Sequence, residues 1–385
     1  MTFVNKLYNI FDFFWRFFLR FFKELKIKLH ESNKQHSKEQ AKKHRFALVG
    51  KGWGRGFVKD AVLTKNMFLP YFWPSWLGMG IYALMIIVLP YRVQLCLGRL
   101  LGKLFYRLLK SRVYVAERNL ELAFPSMSPE ERQSLVKRIM ENSGIAIFET
   151  GMAWLWSDRR LLKRAVIDPE ELKAAQQLAA ENHPTIVLTC HFMTLEIMAR
   201  LYALLIKPGI GVYHPSDHPV LEYTQVKGRL RSNLALVNNK DPRSMLRAML
   251  QKVPIWYAPD QDYGPKVSIF APFFGVEKAA TVTGTHDLAR VADTIVQPSW
   301  TIREHGKYRL RVLPPLKDFP GPDAFADTTR CNRILEKMIE SAPDQYLWVH
   351  RRFKTVPEGE TTRYPKLSDK PRIKRTPKNK KSTQK

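Results

Sequence analysis

The spacing of hydrophobic residues changes along this chain, and each change marks an element. Ile186, Val187 and Leu188 form a short unbroken apolar run after Pro184. That is the pattern of a strand covered on both faces of a sheet. From Leu195 the apolar positions recur at helical intervals until Lys207-Pro208-Gly209 stops them. The alternation continues, with strands expected over 210–213, 254–258, 293–302 and 308–313. Helices are expected over 170–180, 220–231, 242–252 and 323–341. Upstream, Ser128-Pro129-Glu130-Glu131 is a capping box with proline at the first helical position, opening a helix to about Phe148. Strands alternating with helices predict an α/β sandwich, mostly parallel at its centre.

The first hundred residues follow other patterns. Residues 71–91 hold no charge, with Trp73, Trp76, Tyr82 and Tyr91 where interfacial aromatics would sit. The stretch is long enough to cross a bilayer, although Pro74 and Pro90 trim the helix. Residues 92–110 are amphipathic: Arg99, Lys103 and Arg107 form a stripe opposite Leu97, Leu100, Leu101, Leu104, Phe105 and Leu108. A span would put the basic residues 1–66 outside, against the positive-inside tendency. A partly inserted hairpin avoids that conflict, and the pattern leaves both open. Residues 3–29 interleave Phe and Trp with Arg16, Arg20 and Lys23, as an interfacial helix does or one buried against the protein's own core. Five segments follow: an amphipathic helix (1–29), a flexible linker (30–66), a membrane anchor with an amphipathic helix (67–111), a catalytic domain (112–365) and a disordered basic tail (366–385).

Charge and cysteine usage narrow the partners. The chain carries +28, but residues 1–66 hold 15 Lys+Arg against 5 Asp+Glu, and residues 366–385 hold 9 against 1. The excess therefore sits on the ends and not on a recognition fold, and no nucleic-acid-binding motif appears. Anionic lipid headgroups and an acidic carrier protein fit it better. The 3 Cys (Cys96, Cys190 and Cys331) form neither a disulfide framework nor a zinc spacing, which suits a reducing compartment.

The candidate chemistry stands at the C-terminal end of the 186–188 strand, where open α/β sheets place their sites. His191 falls at the strand end and Glu196 on the first turn of the next helix. With 10 His and 35 Asp+Glu in 385 residues, a carboxylate five residues after a histidine is expected by chance about once. The physical reading is that His191 acts as general base toward a substrate hydroxyl, with Glu196 orienting the ring and stabilising the imidazolium. The bland reading is a satisfied strand-end histidine beside an unrelated surface glutamate. Cys190 is the rival nucleophile, but neighbouring strand residues point to opposite faces, so its thiol should diverge from His191.

The surroundings are more specific than the pair. The stretch from Thr189 to Glu196 resembles the His-x4-Asp/Glu motif of the lysophospholipid acyltransferase superfamily. The chain as a whole resembles that superfamily's bacterial lipid A late acyltransferases. Segments carrying the likeness include Tyr71-Phe72-Trp73-Pro74-Ser75-Trp76, Arg118-Asn119-Leu120-Glu121-Leu122-Ala123-Phe124-Pro125 and Glu149-Thr150-Gly151-Met152-Ala153-Trp154. Gly228-Arg229-Leu230-Arg231, Tyr257-Ala258-Pro259-Asp260-Gln261-Asp262 and Gln345-Tyr346-Leu347-Trp348-Val349-His350-Arg351-Arg352 continue it, over about residues 67–365.

The resemblance implies an αβα sandwich with N-terminal membrane-associated helices. It implies an enzyme of a Gram-negative inner membrane, with its site on the cytoplasmic side. The donor would be acyl–acyl carrier protein, with no cofactor or metal. The acceptor would be a hydroxyl on a 3-hydroxyacyl chain of Kdo2–lipid IVA or its mono-acylated product. It adds Arg229 and Asp260 to the site: Arg229 for a phosphate or a developing oxyanion, Asp260 to orient donor or acceptor or to cap a turn. Asp260 and Asp262 raise metal binding only weakly without a further ligand cluster. Residues 270–275 would line an acyl slot or serve as plain core. A glycerophospholipid-remodelling acyltransferase is the alternative. The Phe-Pro-Glu-Gly-Thr run usual in such enzymes does not occur here.

Overall fold

The computed structural model describes residues 56–365. The chain divides into two compact units, 1–57 and 58–385, and every element below belongs to the second. The expectations for residues 1–29, for the linker up to residue 55 and for the tail 366–385 lie outside the described residues.

Four helices come first: α1 (Trp73–Val88), α2 (Tyr91–Leu108), α3 (Lys110–Ala123) and α4 (Pro129–Leu155). The expected capping box opens α4, with the Ser128 hydroxyl accepting from the Glu131 amide and the Glu131 carboxylate from the Ser128 amide. The helix continues to Leu155, past the expected end, because Glu149, Met152 and Ala153 still face the core. The α2–α4 contact is backbone to backbone. A Cβ on Gly144 would lie 2.2 Å from the Gly98 carbonyl oxygen, and one on Gly102 2.3 Å from that of Met140. Only glycine permits that approach.

A short α5 (Asp158–Leu162), β1 (Ala165–Val166) and α6 (Pro169–Ala180) lead to the central strand β2 (Thr185–Leu188). Then follow α7 (Leu195–Leu205), β3 (Gly209–Tyr213), α8 (Pro219–Arg229), β4 (Asn233–Asn238), α9 (Pro242–Leu250) and β5 (Ile255–Tyr257). A hairpin, β6 (Ser268–Phe273) and β7 (Val276–Val282), precedes α10 (Gly284–Ala289), β8 (Ile295–Glu304), β9 (Lys307–Val312) and α11 (Ala324–Ser341). In the large sheet the order runs β4-β3-β5-β2-β8-β9-β1. Strands β4, β3, β5, β2 and β8 are mutually parallel, and β9 returns antiparallel to β8. The architecture is the mixed α/β, parallel-rich sheet that the alternation predicts. The pattern did not reveal α3, β4 or the β6–β7 hairpin.

Val187 joins Ile145, Phe148 and Met152 of α4 and Ile197, Met198 and Leu201 of α7 in one core. Ile186 and Leu188, equally buried, face the other way by strand alternation. There α10 packs on β2 and on α11. Ile86, Tyr91 and Leu95 belong to the first core, so the segment expected as an anchor is part of the same body. By length and composition Pro70–Val88 could cross a membrane. Of the aromatic run at 270–275, Ala271 and Phe273 are buried, Phe270, Pro272 and Phe274 are partly covered, and Gly275 is exposed; the Phe274 ring lies tilted against Phe124 and Trp348.

Candidate active site

The sheet register builds the site. Leu188 of β2 stands opposite Tyr257 of β5, and three residues past each come His191 and Asp260. His191 Nδ1 lies 2.7 Å from Asp260 Oδ1, and the His191 amide donates to Oδ2 at 3.0 Å. The Tyr346 hydroxyl also donates to Oδ2, at 2.8 Å. Asp260 is wholly buried, while a quarter of the His191 side chain is exposed.

Burial alone would raise the Asp260 carboxyl. His191, through charge and two hydrogen bonds, and then Tyr346 outweigh it and hold the pKa down to about 2. An ionised carboxylate only accepts, so Nδ1 carries a proton toward it, and Nε2 is the ring nitrogen left to act on a ligand. Nε2 makes no hydrogen bond to a described residue, and its ring reaches solvent.

The carboxylate on the imidazole is therefore Asp260, and the expectation that Glu196 orients His191 is corrected. Glu196, on the first turn of α7, turns toward α8 instead. Its Oε1 accepts from Arg229 Nε at 2.7 Å, with the charged Nη2 also 2.7 Å away, and its Oε2 accepts from Trp154 Nε1 at 2.9 Å. Gly228 makes room for that indole, since a Cβ there would come within 2.3 Å of the Trp154 ring. Arg229 closes α8, as expected, and keeps a quarter of its side chain exposed. The four expected residues thus form two pairs, His191–Asp260 and Glu196–Arg229, both near the carboxyl edge of β2.

Residues 345–353 clasp the site from the far end of the chain. The Met193 amide donates to the Gln345 carbonyl at 2.9 Å, and the Leu347 amide to the His191 carbonyl at 3.0 Å. Arg352, fully buried, anchors this segment to the hairpin through the Ala280 carbonyl and the Thr281 hydroxyl. Nearby His350 is pushed down, first by burial and then by His191, so it is a neutral neighbour at pH 7. Tyr346 and Trp154 were missed as site residues. Both lie inside stretches that carry the family likeness, but the hydrogen bonds that give them roles cross the fold.

Cys190 is wholly buried, and its thiol is pushed well up by burial and then by Asp260, so it offers no thiolate. Asp262 serves a turn: it accepts from the amides of Gly264 and Thr355 and from the Thr355 hydroxyl. Among the described residues no group of three or more His, Cys, Asp or Glu is placed to hold a metal.

An aspartate-held histidine at the carboxyl edge of a parallel sheet suits proton removal from a hydroxyl. The adjacent thiol is buried and pushed well up, so the pair has no protein thiolate beside it. Such a fold and site are compatible with an acyltransferase. The family model "Bacterial lipid A biosynthesis acyltransferase" matches residues 63–355, and the chain belongs to that family. It is 44% identical over 298 residues to a lipid A biosynthesis lauroyltransferase of Escherichia coli, covering 77% of this chain and 96% of the relative. Identity to the palmitoleoyltransferase of the same organism is 39%, covering 78% and 97%. A lipid A biosynthesis acyltransferase of Haemophilus influenzae is also 39% identical, covering 76% and 94%. The activity is acyl transfer in lipid A biosynthesis, with a lipid A precursor as substrate.

Proposed function

We propose that this enzyme moves a fatty acyl chain from acyl–acyl carrier protein to a hydroxyl of a 3-hydroxyacyl chain on Kdo2–lipid IVA or its mono-acylated product. The observation that carries the reading is the 2.7 Å contact between His191 Nδ1 and the buried Asp260, which leaves Nε2 open. Nε2 takes the hydroxyl proton as the oxygen attacks the thioester carbonyl. The tetrahedral intermediate carries its charge on the former carbonyl oxygen, and Arg229 is the guanidinium closest in kind to that task. Collapse breaks the C–S bond, and the proton on Nε2 passes to the departing sulfur. Asp260 stabilises the imidazolium throughout without becoming protonated, as its low pKa supports. The reaction so written needs no cofactor.

A carrier-protein donor places the site on the cytoplasmic face of the inner membrane, where the lipid acceptor and phospholipids also stand. The test incubates purified enzyme with acyl–acyl carrier protein and Kdo2–lipid IVA and reads the product by mass spectrometry. One added acyl group per lipid, lost in His191→Ala, is the expected result. Acylation of a lysophospholipid in its place overturns the acceptor. Equal use of acyl-CoA, without any effect of salt, overturns the carrier-protein donor.

A further inference from the structure

A cavity of about 410 Å³ opens where α2, α4, the β8–β9 turn and residues 344–345 meet. Its floor is locked. Arg303, with nine-tenths of its side chain covered, donates from Nη1 to Glu149 Oε1 at 2.6 Å and from Nη2 to Asn142 Oδ1. Asn142 Nδ2 in turn donates to the carbonyl and to Oδ2 of Asp344, each at 2.9 Å. Gln345 closes the floor by exchanging two hydrogen bonds with the Arg303 backbone. These groups have partners already, so they fix the shape of the cavity.

The rim is different. Arg99 of α2, Arg138 of α4 and His305 of the β8–β9 turn line it, and all three are exposed. Among the described residues neither guanidinium forms an ion pair, and Arg138 donates only within its own helix, to Ser134 Oγ at 3.0 Å. Glu141 also lines the rim, and its ion pair with Lys103 is loose, at 3.9 Å. Two open guanidiniums suit an oxyanion, which they bind through forked N–H donors. Glu141 and Asp344 would repel a bare ion, but they accept from hydroxyls. Leu95 is the single apolar side chain on the lining, so an acyl chain gains little there.

Position ties the cavity to the reaction. The Gln345 carbonyl accepts from the Met193 amide at 2.9 Å, and Tyr346, the next residue, donates to Asp260. The same segment thus closes the cavity floor and holds the carboxylate of the His191–Asp260 pair. We infer that this cavity binds a sugar bearing an oxyanion, with its phosphate or carboxylate on Arg99 and Arg138 and its hydroxyls toward Glu141 and Asp344. It is a specificity site for the head of the acceptor lipid, separate from the Glu196–Arg229 pair, and the assignment rests on the acceptor proposed above.

The test uses the full chain in detergent, so that no bilayer charge contributes. Arg99→Gln and Arg138→Gln, singly and together, are compared with Arg92→Gln and Lys137→Gln, which remove exposed cations from the same two helices outside the cavity. Binding is read without donor, as the shift of the thermal midpoint on titration with a stated probe. The probes are Kdo2–lipid IVA, the same lipid lacking its Kdo sugars, and inorganic phosphate at constant ionic strength. The double variant should bind Kdo2–lipid IVA about 10-fold or more weakly, and in turnover it should raise KM for the lipid but not for the acyl donor. A deficit that disappears with the Kdo-free lipid assigns the oxyanion to a sugar carboxylate, and one that persists assigns it to phosphate. Equal binding by wild type and double variant, or an equal deficit in the two control variants, overturns the inference. So does stabilisation by inorganic phosphate as strong as by the lipid, which reduces the cavity to an ion site. Failed acylation with the variants still separated in binding counts against the proposed function and not against the cavity.

Discussion

Two carboxylates stand near His191, and the chain treats them oppositely. Asp260 is sealed under the sheet edge, receives the imidazole, an amide and a phenol, and is held ionised down to about pH 2. Glu196 keeps part of its side chain exposed, and its charge is met by Arg229 and the Trp154 indole. A carboxylate that must only hold a ring gains from burial, because low dielectric strengthens its hydrogen bonds. A carboxylate and guanidinium that remain partly exposed can still exchange partners with a charged ligand. The contrast separates a buried group that holds the ring from an ion pair that keeps some access to solvent.

His191→Ala should break the contrast most severely, since it removes the proposed base and leaves Asp260 buried without its imidazole. Turnover should fall by ~10²–10⁴-fold or more with the fold retained, measured as acyl incorporation into the lipid. Asp260→Asn should come next, at roughly 10²–10³-fold, because a neutral amide neither fixes the tautomer nor stabilises the imidazolium.

The same substitution tests the low pKa. A carboxyl depressed in the folded state adds stability that is fully present above the unfolded value near 3.8 and lost as pH falls toward about 2. Denaturation followed from pH 5 to pH 2 should show that loss in the wild type and a shallower one in Asp260→Asn.

Arg229→Lys should cost about 10-fold or more, because an ammonium cannot reproduce the forked contact with Glu196 Oε1. A rise in KM for the lipid places Arg229 on a phosphate, and a fall in kcat places it on the oxyanion. Tyr346→Phe removes one hydrogen bond to a charged group, worth about 1.5–3 kcal/mol if wholly lost. Its effect should appear in kcat, with KM unchanged, and should vanish in an Asp260→Asn background. Cys190→Ser should do least, retaining most activity, since the thiol is buried and protonated. An acyl-thioester trapped on Cys190 would overturn direct transfer.

Local pattern carried much of this protein. The apolar run at 186–188, the proline before it and the helical spacing after Leu195 placed His191 at a strand end, because periodicity and breakers act within one element. The capping box at Ser128 and the end of α8 at Arg229 were legible for the same reason. The strand β4 was not, since six residues with Leu234 exposed give too little period to separate from a loop. The 270–275 run hid its hairpin because aromatic content alone does not say which ring faces the core.

Which carboxylate meets His191 was a different kind of question. Glu196 is five residues away and Asp260 sixty-nine, yet the ring goes to Asp260. Helix and strand periods named His191 and Glu196, and the family likeness added Arg229 and Asp260 as candidates for one site. Their pairing came from strand order: β5 lies beside β2 with Tyr257 level with Leu188, so the residues three beyond each strand converge. The packing of α1 was decided the same way. Its apolar length permits a span, and only its contacts with Ile147 of α4 and Arg160 of α5 showed which stripe is covered and which is exposed. Sequence sets what each element can do, and the register and packing of distant elements set which partner it meets.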